Sequence, residues 1–462
     1  MRELAGVLRR PLSLVILLAL VACLLVPQSS RSADAAATQA GSGPPLAFKG
    51  AEGYGRFAAG GRYGKVIAVT TLADGGPGSL RACIEASGPR VCIFRVAGVI
   101  RFTTLRPIIF HPYLTIAGQT APGGGIVITH NGGPDAFTPL VVKDTHDIII
   151  RDIRVRPDKT GKVREANSAY VIQRSSNVIF DHVSGSWARD ENMGLTGQND
   201  SITISWSIFA EGIPRHDKCA LLGDDPTGPQ HVSFIKNICA HNGDRNPDIN
   251  FEPSSCVEII NNILYDAQSE YAEIWEEYGG TPVSIVGNYF KAGPSTKKGA
   301  PAILRHIGFV KNGYVSGQAA IYLSDNYFDR KLQAQSAGVS DVLVNGPICP
   351  LQAVAMPVDQ AFEQVLAGAG AFPRDSFDAQ IVQDVKDRTG HIIHEPGALP
   401  EMAPGTPYVD SDGDGMSDDW ERANGTNPNV FDAWGDHGDG RTNLEAFLDY
   451  AHEQLMKGLP VK

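Results

Sequence analysis

Between Asn177 and Arg245 lie the residues of this chain whose types and spacing could do chemistry. Lys218 opens an apolar run in His216-Asp-Lys-Cys-Ala-Leu-Leu-Gly, and Arg245 follows a strand-like run in His241-Asn-Gly-Asp-Arg-Asn-Pro. If these segments stack one coil apart, two cations meet on one face with no carboxylate between them. Such a pair favours an anionic ligand, and the planar guanidinium fork suits a carboxylate. Taken singly, each reads as a solvated surface cation, so the reading depends on their juxtaposition. Asp181-His182 offers ligand or acid–base groups, or a hydrogen-bonded structural pair. Asp224-Asp225 offers the two carboxylates that glycoside hydrolysis would need.

A second constellation lies near the end of the chain. Asp410-Ser-Asp412-Gly-Asp414-Gly415-Met-Ser-Asp418-Asp-Trp-Glu421 fits the twelve-position calcium loop, with oxygen ligands at positions 1, 3, 5, 9 and 12 and glycine at 6 for the turn. The plainer reading is an acidic surface loop. A second run, Gly435 to Ala446, keeps positions 5, 6 and 9 but has Gly435, His437 and Ala446 at 1, 3 and 12, so it binds calcium weakly or only packs. The expected role of this tail is structural or in attachment, including attachment to a cell surface.

The elements that position these residues are short and β-branched. Strand-like runs begin near Leu114, Asp147, Asn177, Ser201, His231, Val257, Val283 and Ala320, at intervals of 33, 30, 24, 30, 26, 26 and 37 residues. An irregular period of this size is the mark of a solenoid with loops emerging from one face. Asn237, Asn261-Asn262, Asn288 and Asn326 follow successive strands and would stack their amides at equivalent turns. A doubly wound α/β fold would need an amphipathic helix between strands, and the intervening sequence is instead rich in Gly, Pro, Ser and Asp. The expectation is an all-β, right-handed parallel β-helix over residues 48–335. From Val358, two segments with helical apolar spacing should pack on that coil within residues 336–396. Residues 397–408, rich in Pro and Gly, read as a tether to the calcium-binding segment at 409–450.

Composition bounds the partners. The chain has 462 residues, with 40 Lys plus Arg against 51 Asp plus Glu, a formal net charge of -11. It carries no basic footprint for nucleic acid or an anionic membrane, so an anionic substrate needs a local basic site. Apolar residues make up 42%, which excludes a disordered chain. Arg2, Arg9 and Arg10 precede the apolar run Leu12–Val26, and Ala33-Asp34-Ala35 resembles a cleavage site. Residues 1–35 are therefore expected to be an export signal and 36–47 a linker, giving a protein secreted to the exterior or the periplasm. The apolar run is short for a membrane span. Leu20-Val21-Ala22-Cys23 resembles a lipoprotein box, although Leu24-Leu25-Val26 after the cysteine argues against lipid anchoring. Removal of the leader leaves six cysteines, and Cys83 and Cys92, bracketing a Gly88-Pro89 turn, are expected to pair. No C-x-x-C is present to suggest zinc or a dithiol centre. The Gly-rich run from Gly53 to Arg62 lacks the Lys-Ser/Thr of a phosphate-binding loop.

Six motifs occur in order: GYGRFAAGGR, PGSLRACIE, TIAGQTAPGGG, NVIFDHVSGSWARDEN, HDKCALLG and HNGDRNPD. Together they make residues from about Gly53 to Arg330 resemble the bacterial pectate lyases of polysaccharide lyase family one. The resemblance implies a parallel β-helix that cleaves polygalacturonate by β-elimination, usually with calcium. Arg245 falls where that family places the arginine that takes the C5 proton of the uronate, and Lys218 where it places a substrate-binding lysine. Arg215, His216 and Asn246 beside them are expected to contact substrate. Asp190 and Glu191 are the expected ligands of an active-site calcium ion. The pattern departs at Ala166, Asn167 and Ser168, which stand where the family has Asp-Gly-Asp, at Gly194, which stands for a downstream acidic ligand, and at Asn250, which stands for a second arginine. Calcium is then bound differently, arrives with the substrate, or is not used. An arginine base is also chemically awkward, since its pKa lies above about 12. The tail resembles the dockerin-like or thrombospondin-repeat-like calcium segments of secreted polysaccharide-degrading proteins. Two further readings compete. One is a β-helix hydrolase using Asp224-Asp225, for which the supporting Gly-His-Gly and Arg-Ile-Lys patterns are absent. The other is a non-catalytic carbohydrate-binding or adhesive β-helix.

Overall fold

Runs of Val and Ile closed by Asn, Asp or Gly cannot form long helices, because χ1-restricted side chains and turn-forming residues recur within each segment. In the computed structural model they form parallel strands instead. The structure describes residues 44–130, 137–158, 167–308 and 317–462. Three parallel sheets of ten, nine and nine strands wind about one apolar interior, a parallel β-helix. The first sheet runs from Lys65–Val69 through His146–Arg151, Ser176–Asp181, Asp200–Ser205 and His231–Ile235 to Ala320–Ser324. Register is strict, with Val178 on Ile202, Ile202 on Val232 and Val232 on Val257, so like side chains stack through the core. All eight strand starts expected from the sequence fall in this one sheet.

The turn from the first sheet to the second repeats a backbone device. His182, Trp206, Lys236 and Asn261 take positive φ of 51°, 48°, 59° and 57° at the same corner of successive coils. The amides behind them form the expected ladder: Asn237 N–H donates to Asn262 Oδ1 (2.8 Å), Asn262 N–H to Asn288 Oδ1 (2.9 Å) and Asn288 N–H to Asn326 Oδ1 (2.9 Å). Buried backbone donors at a corner have no sheet partner, and the stacked amides satisfy them. Asn261 is not in the ladder; it occupies the left-handed corner and accepts from Met356 N–H at 2.8 Å.

Helices Val358–Gly368 and Ser376–Asp387 lay Val365, Leu366, Ile381, Val382 and Val385 on Ile208, Ile238, Ile263 and Tyr265 of the second sheet. Residues 397–408 lie against the coil, where Gly124 N–H donates to Ala403 O at 2.9 Å. Beyond them, Met416, Trp420, Leu444, Phe447 and Leu448 pack on Val91, Ile93 and Ala117 of the first sheet's outer face. The last helix, Asn443–Met456, carries a capping box of Thr442 and Glu445. Three disulfides are present: Cys83–Cys92, as expected, Cys219–Cys239 and Cys256–Cys349. No described helix is long and apolar enough to cross a membrane. The leader, Cys23 and Ala166 lie outside the described residues.

Candidate active site

The third sheet positions Lys218 and Arg245. Its strands Glu191–Thr196, Lys218–Leu222, Asp248–Ile249, Ala272–Trp275 and Pro301–His306 stack in that order. Register sets Glu191 beside Lys218, Lys218 beside Asp244, and Asp248 beside Glu273. The Ala220 N–H donates to Arg245 O at 3.0 Å, which fixes the two cations on adjacent coils. Arg245 takes a positive φ of 51°, a conformation costing about 1–2 kcal/mol for a residue with a Cβ. A carboxylate supports it: Arg245 N–H donates to Glu273 Oε1 at 2.7 Å.

The expectation that no carboxylate separates the cations is corrected by the structure. Lys218 Nζ pairs with Asp244, and Arg245 pairs through Nη1 with Glu191 and through Nε with Asp248 at 3.4 Å. Successive coils bring Glu191, then Lys218, then Asp244, Arg245 and Asp248 to the face, so opposite charges interleave. Burial lowers the Arg245 pKa, but Asp248, Glu191, Glu273 and Asp244 outweigh it and the net shift is upward. Arg245 therefore rests as a firmly held cation. Burial, then Asp190, push Glu191 up to about 7 against the pull of Arg245. Burial, then Glu273, push Asp248 well above the usual carboxylate range.

The other expected site residues separate into several places. Asp190 lies 3.6 Å from His216, and Arg215 and His216 are exposed on the loop before Lys218. Asn246, expected to touch substrate, is 1% exposed and belongs to the coil interior. Its Oδ1 accepts from Asn242 at 3.4 Å, and Asn242 Oδ1 accepts from Asn192 at 3.2 Å. Asn250, which stands for a second arginine of the family pattern, donates to Glu277 at 2.9 Å. Asp181-His182 is a structural pair on the first sheet: Asp181 also accepts from Arg151 (3.2 Å) and Ser205 (2.7 Å), and the His182 ring abuts that of His452 at 4.3 Å. Asp224 accepts from the Tyr278 hydroxyl at 2.7 Å.

Sequence reasoning missed the far side of the site. Oxygens of Asp244, Glu270 and Glu273 lie within 4.8 Å of one another, a set of hard donors suited to calcium. Trp275 stacks on His306 with ring centres 3.7 Å apart, and His306 reaches Glu273 at 3.2 Å. The signal was available: in Ala272-Glu-Ile-Trp275, Ala272 and Ile274 point into the core and Glu273 and Trp275 alternate outward.

In the tail, two sets of carboxylate oxygens gather within 4.8 Å, Asp410 with Asp412 and Asp414, and Asp414 with Glu421 and Asp432. Burial and the facing carboxylates push Asp414 up to about 7 and Glu421 up to about 8. Asp418 is turned elsewhere: it accepts from Ser411 N–H and Oγ, each at 2.8 Å, and from Arg422 at 3.1 Å. In the second run Asp439 is held by Arg441, and no carboxylate set forms there among the described residues.

A profile for the bacterial TSP3 repeat matches residues 410–430. The chain is 34% identical over 424 residues to a protein of Neosartorya fischeri named probable pectate lyase C, covering 87% of this chain and 93% of that one. The protein of that name in Aspergillus fumigatus matches at 34% over 413 residues, with 87% and 93% covered. Among solved structures, the cedar pollen allergen Jun a 1 aligns with a TM-score of 0.51 at 19% identity, covering 70% of this chain and 92% of its own. A pectate lyase bound to a hexasaccharide aligns with a TM-score of 0.52 at 13% identity, covering 70% and 96%. These two likenesses speak to the fold alone.

Proposed function

The chain belongs to the pectate lyase family, which it matches over 87% of its length, and on that premise we propose that its third-sheet face cleaves polygalacturonate or a related uronan by β-elimination. We assign it to polysaccharide lyase family one on the six motifs between Gly53 and Arg330. The observation that carries the reading is the stacking of Lys218 and Arg245 on adjacent coils at one sheet face. Removing the proton next to a uronate carboxylate builds negative charge on that carboxylate, and a preorganised Lys218 stabilises it in a partly dried site. Arg245, held by Glu191 and Asp248, faces the same ligand as a planar fork. To accept the C5 proton it must first lose its own, and Asp248, Glu191, Glu273 and Asp244 are the groups that oppose this. Asp244, Glu270 and Glu273 would hold calcium, whose charge would offset two of those four carboxylates and bridge to the uronate. The Trp275–His306 stack beside them offers a flat apolar surface for a sugar ring. Export is proposed from the leader, and three disulfides suit an oxidising compartment.

The test is incubation of purified protein with polygalacturonate, in calcium and in chelator, following the ultraviolet absorbance of the unsaturated product. Absorbance that rises with calcium is expected. New reducing ends without absorbance would mean hydrolysis, and no cleavage of any uronan would remove the enzymatic reading.

A further inference from the structure

We infer that the third-sheet face consists of two half-sites of opposite chemistry meeting at Lys218 and Arg245, and that the half before Lys218 takes uronan units whose carboxyls are methyl esters. The inference rests on the lyase reading and names the substrate class that reading leaves open.

Register places one outward residue per coil in a single row. It runs Val141, Val171, Gly194, Leu221, Asp248 and Glu273, each paired with the next. The residues that follow the first four in the chain, Val142, Ile172, Leu195 and Leu222, lie in the core, so strand alternation turns the row outward. Its character changes once. The first four residues have no polar side-chain atom, and the next two are acids. An outer sheet face that meets only water carries polar residues at these positions, so an apolar row with Val171 and Leu221 only half-buried has a partner to explain. Gly194 leaves a notch in it. A Cβ built there would lie 3.6 Å from Val171 Cγ2, 3.8 Å from Tyr170 O and 3.9 Å from Glu191 Oε2, ordinary contacts that leave room for one methyl group. Beside this row, Lys143, Gln173 and Thr196 pair in register and offer hydrogen bonds to sugar hydroxyls without adding a carboxylate.

The shape of the face sets the direction of a bound polymer. Strands of two to six residues make it at most about 20 Å wide, while nine strands extend it by roughly 38 Å along the coil axis. A chain of several sugars stays on the face only by running along that axis, so the polymer that reaches Lys218 and Arg245 continues over both halves. Beyond Arg245, Asp244, Glu270 and Glu273 suit free uronates bridged by a divalent cation. Over Val171 and Leu221 a free carboxylate would lose its water and gain no partner. A methyl ester has no charge to desolvate, and its methyl group matches the notch at Gly194. The reacting unit, between the halves, keeps a free carboxylate for Lys218.

The test digests partly methyl-esterified oligogalacturonates with the full chain in calcium and sequences both new ends of each product by tandem mass spectrometry. Esters should occur on one side of the cleaved bond and be excluded from the other, and a fully esterified substrate should be cleaved about 100-fold more slowly or worse, because the acidic half rejects it. Val171→Lys puts a cation in the apolar half and should lower the ratio of kcat/KM for esterified over ester-free substrate by about tenfold or more. Esters tolerated equally on both sides, or excluded from both, would overturn the inference while ester-free polygalacturonate is still cleaved, as would an unchanged ratio in Val171→Lys. The product ends come from the unmutated protein and so stand even if that variant does not fold. No cleavage of any uronan would remove the lyase reading and this inference with it.

Discussion

Replacing Glu191 by Gln probes the electrostatics on which the site rests. Glu191 is 4% exposed, and burial followed by Asp190 raises its carboxyl from 4.5 to about 7. A raised folded-state value means that the folded protein holds this proton more tightly than the unfolded chain. The stability it confers is complete below about pH 4.5 and is lost as pH rises through about 7. A shift of that size corresponds to on the order of 3 kcal/mol. Gln keeps the shape, can still accept from Arg245 through its carbonyl oxygen, and cannot ionise. The stability of Glu191→Gln relative to the unmutated protein should therefore rise by on the order of 3 kcal/mol between pH 4.5 and pH 8, read as a growing difference in urea midpoint at constant slope. Parallel pH profiles for the two proteins would refute the reasoning, because Glu191 would then titrate like a solvated carboxylate and Asp190 and burial would not govern it.

Arg245→Ala and Lys218→Ala should each lower kcat/KM on polygalacturonate by about 100-fold or more. Arg245→Lys should recover the stability lost in Arg245→Ala, by restoring a cation for Glu191 and Asp248, without recovering activity; full activity in these variants would place the reaction elsewhere. Removing the Cys256–Cys349 bridge, with a separation of 93, should cost about 4.7 kcal/mol, and removing Cys83–Cys92, with a separation of 9, about 2.7 kcal/mol, by loop-closure entropy. Non-reducing urea titrations that rank the two losses in the opposite order would contradict that account.

The coil was legible because one sheet announces it. First-sheet strands such as Ser176–Asp181 and Asp200–Ser205 are six residues long and apolar enough to show a period. Third-sheet strands vary from two residues, in Ile108–Ile109 and Asp248–Ile249, to six, in Glu191–Thr196, so that sheet shows no regular period and its alternation survives only locally, as in Ala272–Trp275. The packed tail was illegible for a different reason. Its anchors join Arg151 to Asp449 and Asp152 to His452, 298 and 300 residues apart, and no local pattern encodes such partners. A Pro- and Gly-rich stretch before it reads as a tether on composition alone, yet it lies along the coil.

At the site, the solenoid exchanges partners between sequence neighbours. Asp244 and Arg245 are adjacent in the chain, but Asp244 pairs with Lys218 one coil back and Arg245 with Glu191 two coils back. Motif matching finds the cations, and Asp190 and Glu191 with them, because they sit in recognisable strings; it misses Glu270 and Glu273, which arrive from the next coil. The result has a chemical consequence. Glu191, Asp244, Asp248, Glu270 and Glu273 surround Lys218 and Arg245, so the face is formally acidic although it was identified by its cations. A polyanion approaching such a face is repelled until the carboxylates are neutralised, by protons on Glu191 and Asp248 or by a divalent cation on Asp244, Glu270 and Glu273. The proton on Glu191 is lost as pH rises through about 7, and below that pH Arg245 is furthest from giving up its own. A cation at the carboxylates is the neutralisation compatible with an arginine base, which ties the proposed calcium requirement to this chain's own charges although the family's upstream ligand positions are occupied by Ala166 and Ser168.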